Sequence, residues 1–174
     1  MSTNKFKIVI FGDGGVGKTT LVNRYLKGVF TSGAMTIGVD FHLKVLDIQG
    51  NKIVLQIWDY AGQDRFRFLF PSYVSGSEGA IFMFDVTRYS SIKSLSEWME
   101  AFKRGFDSDD VKIPKIMVGG KIDLDIQRSI SRQDAEELAK KFNFDEYIEC
   151  SSKTGENVEI IFDKLALKLI EKKV

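Results

Sequence analysis

Residues 6–22 read FKIVIFGDGGVGKTTLV. An unbroken apolar run, FKIVIF (6–11), gives way to GDGGVGKT (12–19), and a helical pattern begins at Lys18. The octet matches G-x-x-x-x-G-K-[ST], in which glycines let backbone N–H groups turn toward an anion and the helix N-terminus adds positive potential. Lys18 is then expected to reach the outer phosphates and the Thr19 hydroxyl to sit on Mg²⁺. Gly14 and Gly15 leave no side chain between the backbone and the terminal phosphate. A glycine-rich turn with a surface lysine is the bland alternative, and the strand–loop–helix context argues against it.

Outward from this stretch, short apolar runs alternate with helical patterns. GAIFMFDV (79–86), KIMV (115–118) and EYIEC (146–150) read as further strands covered on both faces. Residues 18–27, 91–104, 131–142 and 156–172 read as amphipathic helices, with Ser131 as the N-cap of the third. FHLKVLDI and KIVLQIWD flank Q-G-N (49–51) and predict a hairpin whose turn is supplied by Gly50 and Asn51. The expectation is an α/β protein of the P-loop NTPase fold. Its six-stranded, mostly parallel sheet has one antiparallel edge strand and is flanked by about five helices. Ligands of such sheets bind at the carboxyl ends of the strands, where every motif falls.

Composition narrows the possibilities. The 174 residues are expected to form one domain, 1–174. With 25 basic and 24 acidic side chains the net charge is +1, which gives no bulk pull toward nucleic acid or anionic membrane. The first apolar run is too short for a signal peptide or a membrane span. Position 2 is not glycine, and LIEKKV carries no cysteine for a prenyl group. A soluble, cytoplasmic monomer is expected, peripheral to membranes only through a lipidated tail beyond this sequence. Cys150 reads as a small buried side chain and His42 as a residue of a solvated face.

Other residues fall into place around the phosphate loop. Asp59 closes an apolar strand, where a metal-holding acid belongs; a strand-end cap or salt bridge is the plainer reading. Gly62 is positioned to offer a backbone N–H to a γ-phosphate, and Gln63 to orient an attacking water. Thr36 gains meaning only if its hydroxyl closes a metal shell. VGGKIDL (118–124) raises the same choice between an ordinary polar loop and a reader of a flat, polar ring.

GDGGVGKT, TIGVDF, LQIWDYAGQDRFRFL, VGGKID and ECSSK stand in the order found in the Ras superfamily of small GTPases, and most resemble its Rab branch. The resemblance covers nearly the whole chain. It implies binding of GTP or GDP with Mg²⁺, slow hydrolysis, and a conformational switch read by effectors in membrane trafficking. Residues Gly14, Gly15, Val16, Gly17, Lys18, Thr19 and Thr20 would cradle the phosphates; Thr19, Thr36 and Asp59 would hold the metal. Phe30 would pack on the base and Gln63 would position the water. Phe41, Trp58 and Tyr73 would be offered to effectors, although core filling explains three aromatics equally well. Effectors, exchange factors and activating proteins would meet residues 30–41 and 60–73.

Family members usually read N-K-x-D where this chain reads GKID (120–123). The resemblance implies that Asp123 accepts from guanine N1–H and its exocyclic amine, which adenine cannot both supply. Lys121 would lay its stem along the ring. Ser151, Ser152 and Lys153 resemble the turn that meets the guanine carbonyl. Gly120 removes one hydrogen-bonding side chain, at a cost of about 0.5–1.5 kcal/mol, with water expected to refill the space. Tyr60 replaces a threonine, and the stretch from Phe30 to Thr36 is one residue short and carries Gly33. That first switch is expected to order less readily. A nucleotide-binding scaffold with weakened guanine affinity and little catalysis is the alternative. A P-loop ATPase or nucleotide kinase fits less well, because no arginine-rich lid is present.

Overall fold

The computed structural model describes residues 3–31, 33, 35–108 and 111–173. Six strands, β1 (Asn4–Phe11), β2 (Val39–Ile48), β3 (Asn51–Tyr60), β4 (Gly79–Asp85), β5 (Lys115–Gly120) and β6 (Glu146–Glu149), form one sheet in the order β2-β3-β1-β4-β5-β6. Five are parallel; β2 pairs antiparallel with β3 at the edge. This is the anticipated sheet. The helices are α1 (Lys18–Lys27), α2 (Phe70–Val74), α3 (Tyr89–Lys93), α4 (Leu95–Lys103), α5 (Arg132–Lys141) and α6 (Val158–Lys173).

Both faces of the sheet are covered, which is why β4 is apolar and buried throughout. Leu21 and Val22 of α1 and Phe162, Leu165 and Leu169 of α6 pack on one face, against Phe6, Ile8 and Ile10. On the other, Phe70, Trp98, Met99, Phe102 and Ala135 pack on Val9, Phe11 and Phe82. Phe11 lies at the centre of an aromatic group, with ring centroids 4.4 Å from Phe70 and 5.0 Å from Phe82. Each fully buried side chain of this size contributes about 1.5–3 kcal/mol over exposure.

Local chemistry accounts for the departures from the sequence reading. The hairpin turn sits one residue earlier than expected: Gln49 and Gly50 carry the positive φ values, 52° and 78°, while Asn51 begins β3. Two consecutive positive φ values match the twist of the strands. The Gly50 N–H donates to Asp47 Oδ1 at 3.0 Å, which fixes that register. The helix expected over 91–104 is two, α3 and α4, divided at Ser94. Gly119 and Gly120 belong to β5 and not to the loop after it. Ser131 caps α5 as anticipated, its Oγ accepting from the Asp134 N–H at 3.0 Å. His42 is half-buried, with its Nε2 enclosed and unpartnered among the described residues, so its face is not simply solvated.

Candidate functional site

The ends of β1, β3 and β5 open into a cleft of about 630 Å³. Residues 14–20, Phe30, Thr36, Gly62, Gln63, Lys121, Asp123, Ser152 and Lys153 all line it. Two anticipated residues stand just behind the lining. Asp59 is fully buried beneath Thr19, and Ser151 is fully buried beneath Asp123.

The phosphate loop is a nest of backbone. Gly15 and Gly17 adopt φ values of 77° and 105°, left-handed conformations of the kind that build anion-binding concavities from backbone N–H groups. Lys18, also buried, donates to the carbonyl oxygens of Gly12 (2.7 Å) and Asp13 (2.9 Å). Burial brings its pKa down to about 8; Asp59 and Asp13 oppose that shift and Arg88 adds to it. The Trp98 indole N–H donates to Asp13 Oδ1 at 2.8 Å, and Arg88 Nη2 donates to the Gly14 carbonyl at 2.8 Å. Gly62 lies so close that a Cβ there would run into Gly12, Asp13 and Gly14. Its carbonyl accepts from the Gly14 N–H at 3.1 Å.

At the mouth of α1 three oxygens converge. Thr19 Oγ1 donates to Asp59 Oδ2 at 2.5 Å and lies 2.5 Å from Thr36 Oγ1. Thr19 has one hydroxyl proton and gives it to Asp59, so Thr36 donates to Thr19. Asp59 Oδ1 is buried without a partner among the described residues. Burial raises the Asp59 pKa, against the pull of Thr19 and Lys18. An orphan carboxylate oxygen beside two hydroxyls is an all-oxygen donor set for a hard cation such as Mg²⁺, with substrate phosphates completing the shell. Among the described residues no cluster of three or more His, Cys, Asp or Glu side chains could hold a metal.

At the other end Ser151 Oγ donates to Asp123 Oδ1 at 2.8 Å and orients the carboxylate toward the cleft. Lys121 has φ 66°, an uncommon left-handed conformation for a residue with a Cβ. Its Nζ donates to the Gly15 carbonyl and pairs with Asp85 Oδ2, both at 2.8 Å, stretching the stem across the cleft. Burial alone would raise the Asp85 pKa; Lys121 and the Thr87 donors outweigh it and hold the carboxyl below its usual range. Cys150 is buried, and its thiol is pushed up to about 12 by burial and by Asp123, Glu149 and Glu156. It is not a poised nucleophile.

Three further contributors escaped the sequence reading. The space expected to hold water beside Gly120 is filled by the Met83 Cε methyl, which a Cβ on Gly120 would strike. Met35 lines the cleft with its Sδ against Gln63 Nε2. Tyr60, whose role was unexplained, is buried and donates to the Phe66 carbonyl at 2.7 Å. Its ring packs on Phe70 and Tyr73, so it fastens the 3₁₀ turn Asp64–Leu69 to the core. Only Tyr60 gave a signal, its large aromatic side chain directly after Asp59. Phe41, Trp58 and Tyr73 form a row, with centroids 5.3 and 5.9 Å apart, and Phe41 is 49% exposed.

The sequence model of the Ras family matches residues 7–171. Ras-related protein Rab-30 of Homo sapiens is 43% identical over 166 residues, covering 95% of this chain and 80% of that protein. Ras-related protein RABC2a of Arabidopsis thaliana is 40% identical over 167 residues, covering 95% and 78%. Ras-related protein Rab-18 of Caenorhabditis briggsae is 42% identical over 166 residues, covering 95% and 80%. With the glycine-rich loop, the oxygen cluster and Asp123 brought into one cleft, the chain belongs to the Ras family and is a Ras-superfamily GTPase close to the Rab proteins.

Proposed function

We propose that the cleft binds GTP and GDP with Mg²⁺, that it slowly hydrolyses GTP to GDP and phosphate, and that the two states recruit different partners in membrane trafficking. The observation that carries this reading is the meeting of Thr19, Thr36 and Asp59 oxygens beside Lys18, in the same cleft as the Ser151-oriented Asp123. When bound, Mg²⁺ would neutralise charge on the outer phosphates. Thr19, Thr36 and Asp59 are the residues that would hold it.

The chain's own work is positioning. Lys18 exchanges the Gly12 and Asp13 carbonyls for phosphate oxygens, and the loop N–H groups hold those oxygens in line. Gln63 orients the attacking water. Phe30 and the Lys121 stem flank the base while Asp123 reads it, with Ser152 and Lys153 at its carbonyl edge. No arginine or lysine occurs between Lys27 and Lys44. Arg67 is engaged by Glu97 at 2.9 Å and Arg88 by the Gly14 carbonyl. Turnover by the protein alone is therefore slow, and a partner supplying a cation accelerates it. Residues 30–41 and 60–73, with the Phe41, Trp58 and Tyr73 row, form the surface that changes with the nucleotide.

Calorimetry with magnesium tests the reading directly. GTP and GDP are expected to bind at least about a hundredfold more tightly than ATP, because a carboxylate oriented by Ser151 and covered by the base discriminates against a base that cannot pair with it. Equal uptake of GTP and ATP, or of neither, refutes it.

Hydrolysis has its own test in Gly14→Val. A Cβ on Gly14 would stand 3.8 Å from Gln63 Cγ, so the branches of valine crowd the glutamine while the base end is untouched. Single-turnover hydrolysis is expected to fall by about ten- to a hundredfold with nucleotide binding retained. An unchanged rate removes Gln63 from its assigned place.

A further inference from the structure

The floor of the base end is apolar where a ring acceptor would meet it. Gly120 ends β5, and the Met83 methyl from β4 occupies the volume its Cβ would need. That volume also lies 3.5 Å from the carbonyl oxygens of Phe84 and Val16. The same methyl stands 3.6 Å from where a Cβ on Gly17 would be, and Lys121 Cε stands 3.9 Å from that point. Met83 thus joins the end of β5, the phosphate loop and the Lys121 stem. It is 1% exposed yet lines the cleft.

A bound purine has three edges to satisfy. The edge with N1 and the C2 amine faces Asp123, and the sugar edge leads the ribose toward the phosphate loop. The O6 carbonyl is left for Ser152 and Lys153, and N7 for the Met83 floor. A thioether methyl has no proton to donate, and glycine offers no side chain. Three backbone donors beside Gly120 are already committed: Val86 N–H to Gly120 O (3.1 Å), Cys150 N–H to Gly119 O (2.8 Å) and Ile122 N–H to Cys150 O (3.2 Å).

We infer that Met83 and Gly120 make this site blind to N7: it selects guanine through Asp123 and accepts guanine nucleotides in which N7 is replaced by C–H. The inference rests on the guanine reading above. An acceptor laid against a methyl loses its water without gaining a bond, whereas a C–H in the same place loses nothing.

The experiment is a comparison of GTP with 7-deaza-GTP by calorimetry, with magnesium, on the full chain. The expected result is a dissociation constant for 7-deaza-GTP equal to that for GTP or lower. Binding of 7-deaza-GTP about tenfold weaker than GTP overturns the inference while leaving the guanine reading intact. Failure of GTP itself to bind overturns both. The double substitution Met83→Ala, Gly120→Asn clears the methyl and installs an amide donor. In that variant 7-deaza-GTP is expected to fall about three- to tenfold behind GTP. Equal affinities there, in a variant that still binds GTP, also count against the Met83 floor. A variant that fails to fold leaves the comparison on the unaltered chain decisive.

Discussion

Asp123→Asn is expected to abolish the preference for guanine. In the proposed reading the carboxylate, held by Ser151 at 2.8 Å, would offer two acceptors to two donors on the base. Hydrogen bonds to a charged group are each worth about 1.5–3 kcal/mol; an amide removes one of the two and the charge from the other, which weakens GTP by roughly a hundredfold or more. An asparagine also turns an N–H toward the base amine, donor against donor. A base bearing a carbonyl at C2, such as xanthine, meets that N–H as an acceptor and should recover much of the lost affinity. Titration of the variant with GTP and with xanthosine triphosphate checks both halves. Unchanged GTP affinity would remove Asp123 from the base.

The largest effect on stability is expected from Arg128→Ala. Glu149 is 6% exposed, and Arg128 grips both its oxygens, Nη1 to Oε1 at 2.8 Å and Nη2 to Oε2 at 2.9 Å. Tyr147 donates to Oε1 at 2.8 Å, and the Asn157 amide donates to the Glu149 carbonyl at 2.8 Å. Removing the guanidinium leaves a buried carboxylate with the Tyr147 hydroxyl as its remaining side-chain donor among the described residues and the more distant Arg132 charge, at a cost of about 3–5 kcal/mol. For a chain of this size that lowers Tm by about 6–20 °C. Because Glu149 leads directly into Ser151 and Ser152, nucleotide affinity should fall as well.

Acid separates the pair from general damage. Burial alone would raise the Glu149 pKa, but Arg128 and Tyr147 outweigh it and hold the group below its ordinary 4.5. Its stabilising contribution is therefore complete above 4.5 and is lost as pH falls through the lower folded value. In Arg128→Ala burial dominates, the folded pKa rises, and protonation relieves the variant. The stability gap between the two proteins should close on acidification through that range. Denaturant unfolding at a series of pH values measures it, and a constant gap would exclude the ion pair as the cause.

The sheet and the phosphate loop were legible in the sequence because local signals there agree: apolar runs, glycines at required turns, a lysine and threonine opening a helix. Asp59 stands out by its place at a strand end, whereas Thr36 and Asp123 are singled out through the resemblance of TIGVDF and GKID to family motifs. What escaped depends on neighbours distant in the chain. Met83 fills the space at Gly120 only because β4 and β5 pair with Asp85 opposite Gly120, a register no single strand reveals. The target of Tyr60 lies in a 3₁₀ turn, Asp64–Leu69, too short to show a period. Ser94 divides α3 from α4 although the apolar spacing continues across it.

Gly62 has no room for a side chain against the phosphate loop, and its carbonyl holds the Gly14 amide. An amide carries a single proton, and two claimants cannot both have it at full strength. An anion that claimed the Gly14 N–H would have to displace the Gly62 oxygen, and the moving peptide plane would carry Gln63 with it. News of the cargo would then pass along the covalent chain itself, one residue from the loop to Gln63.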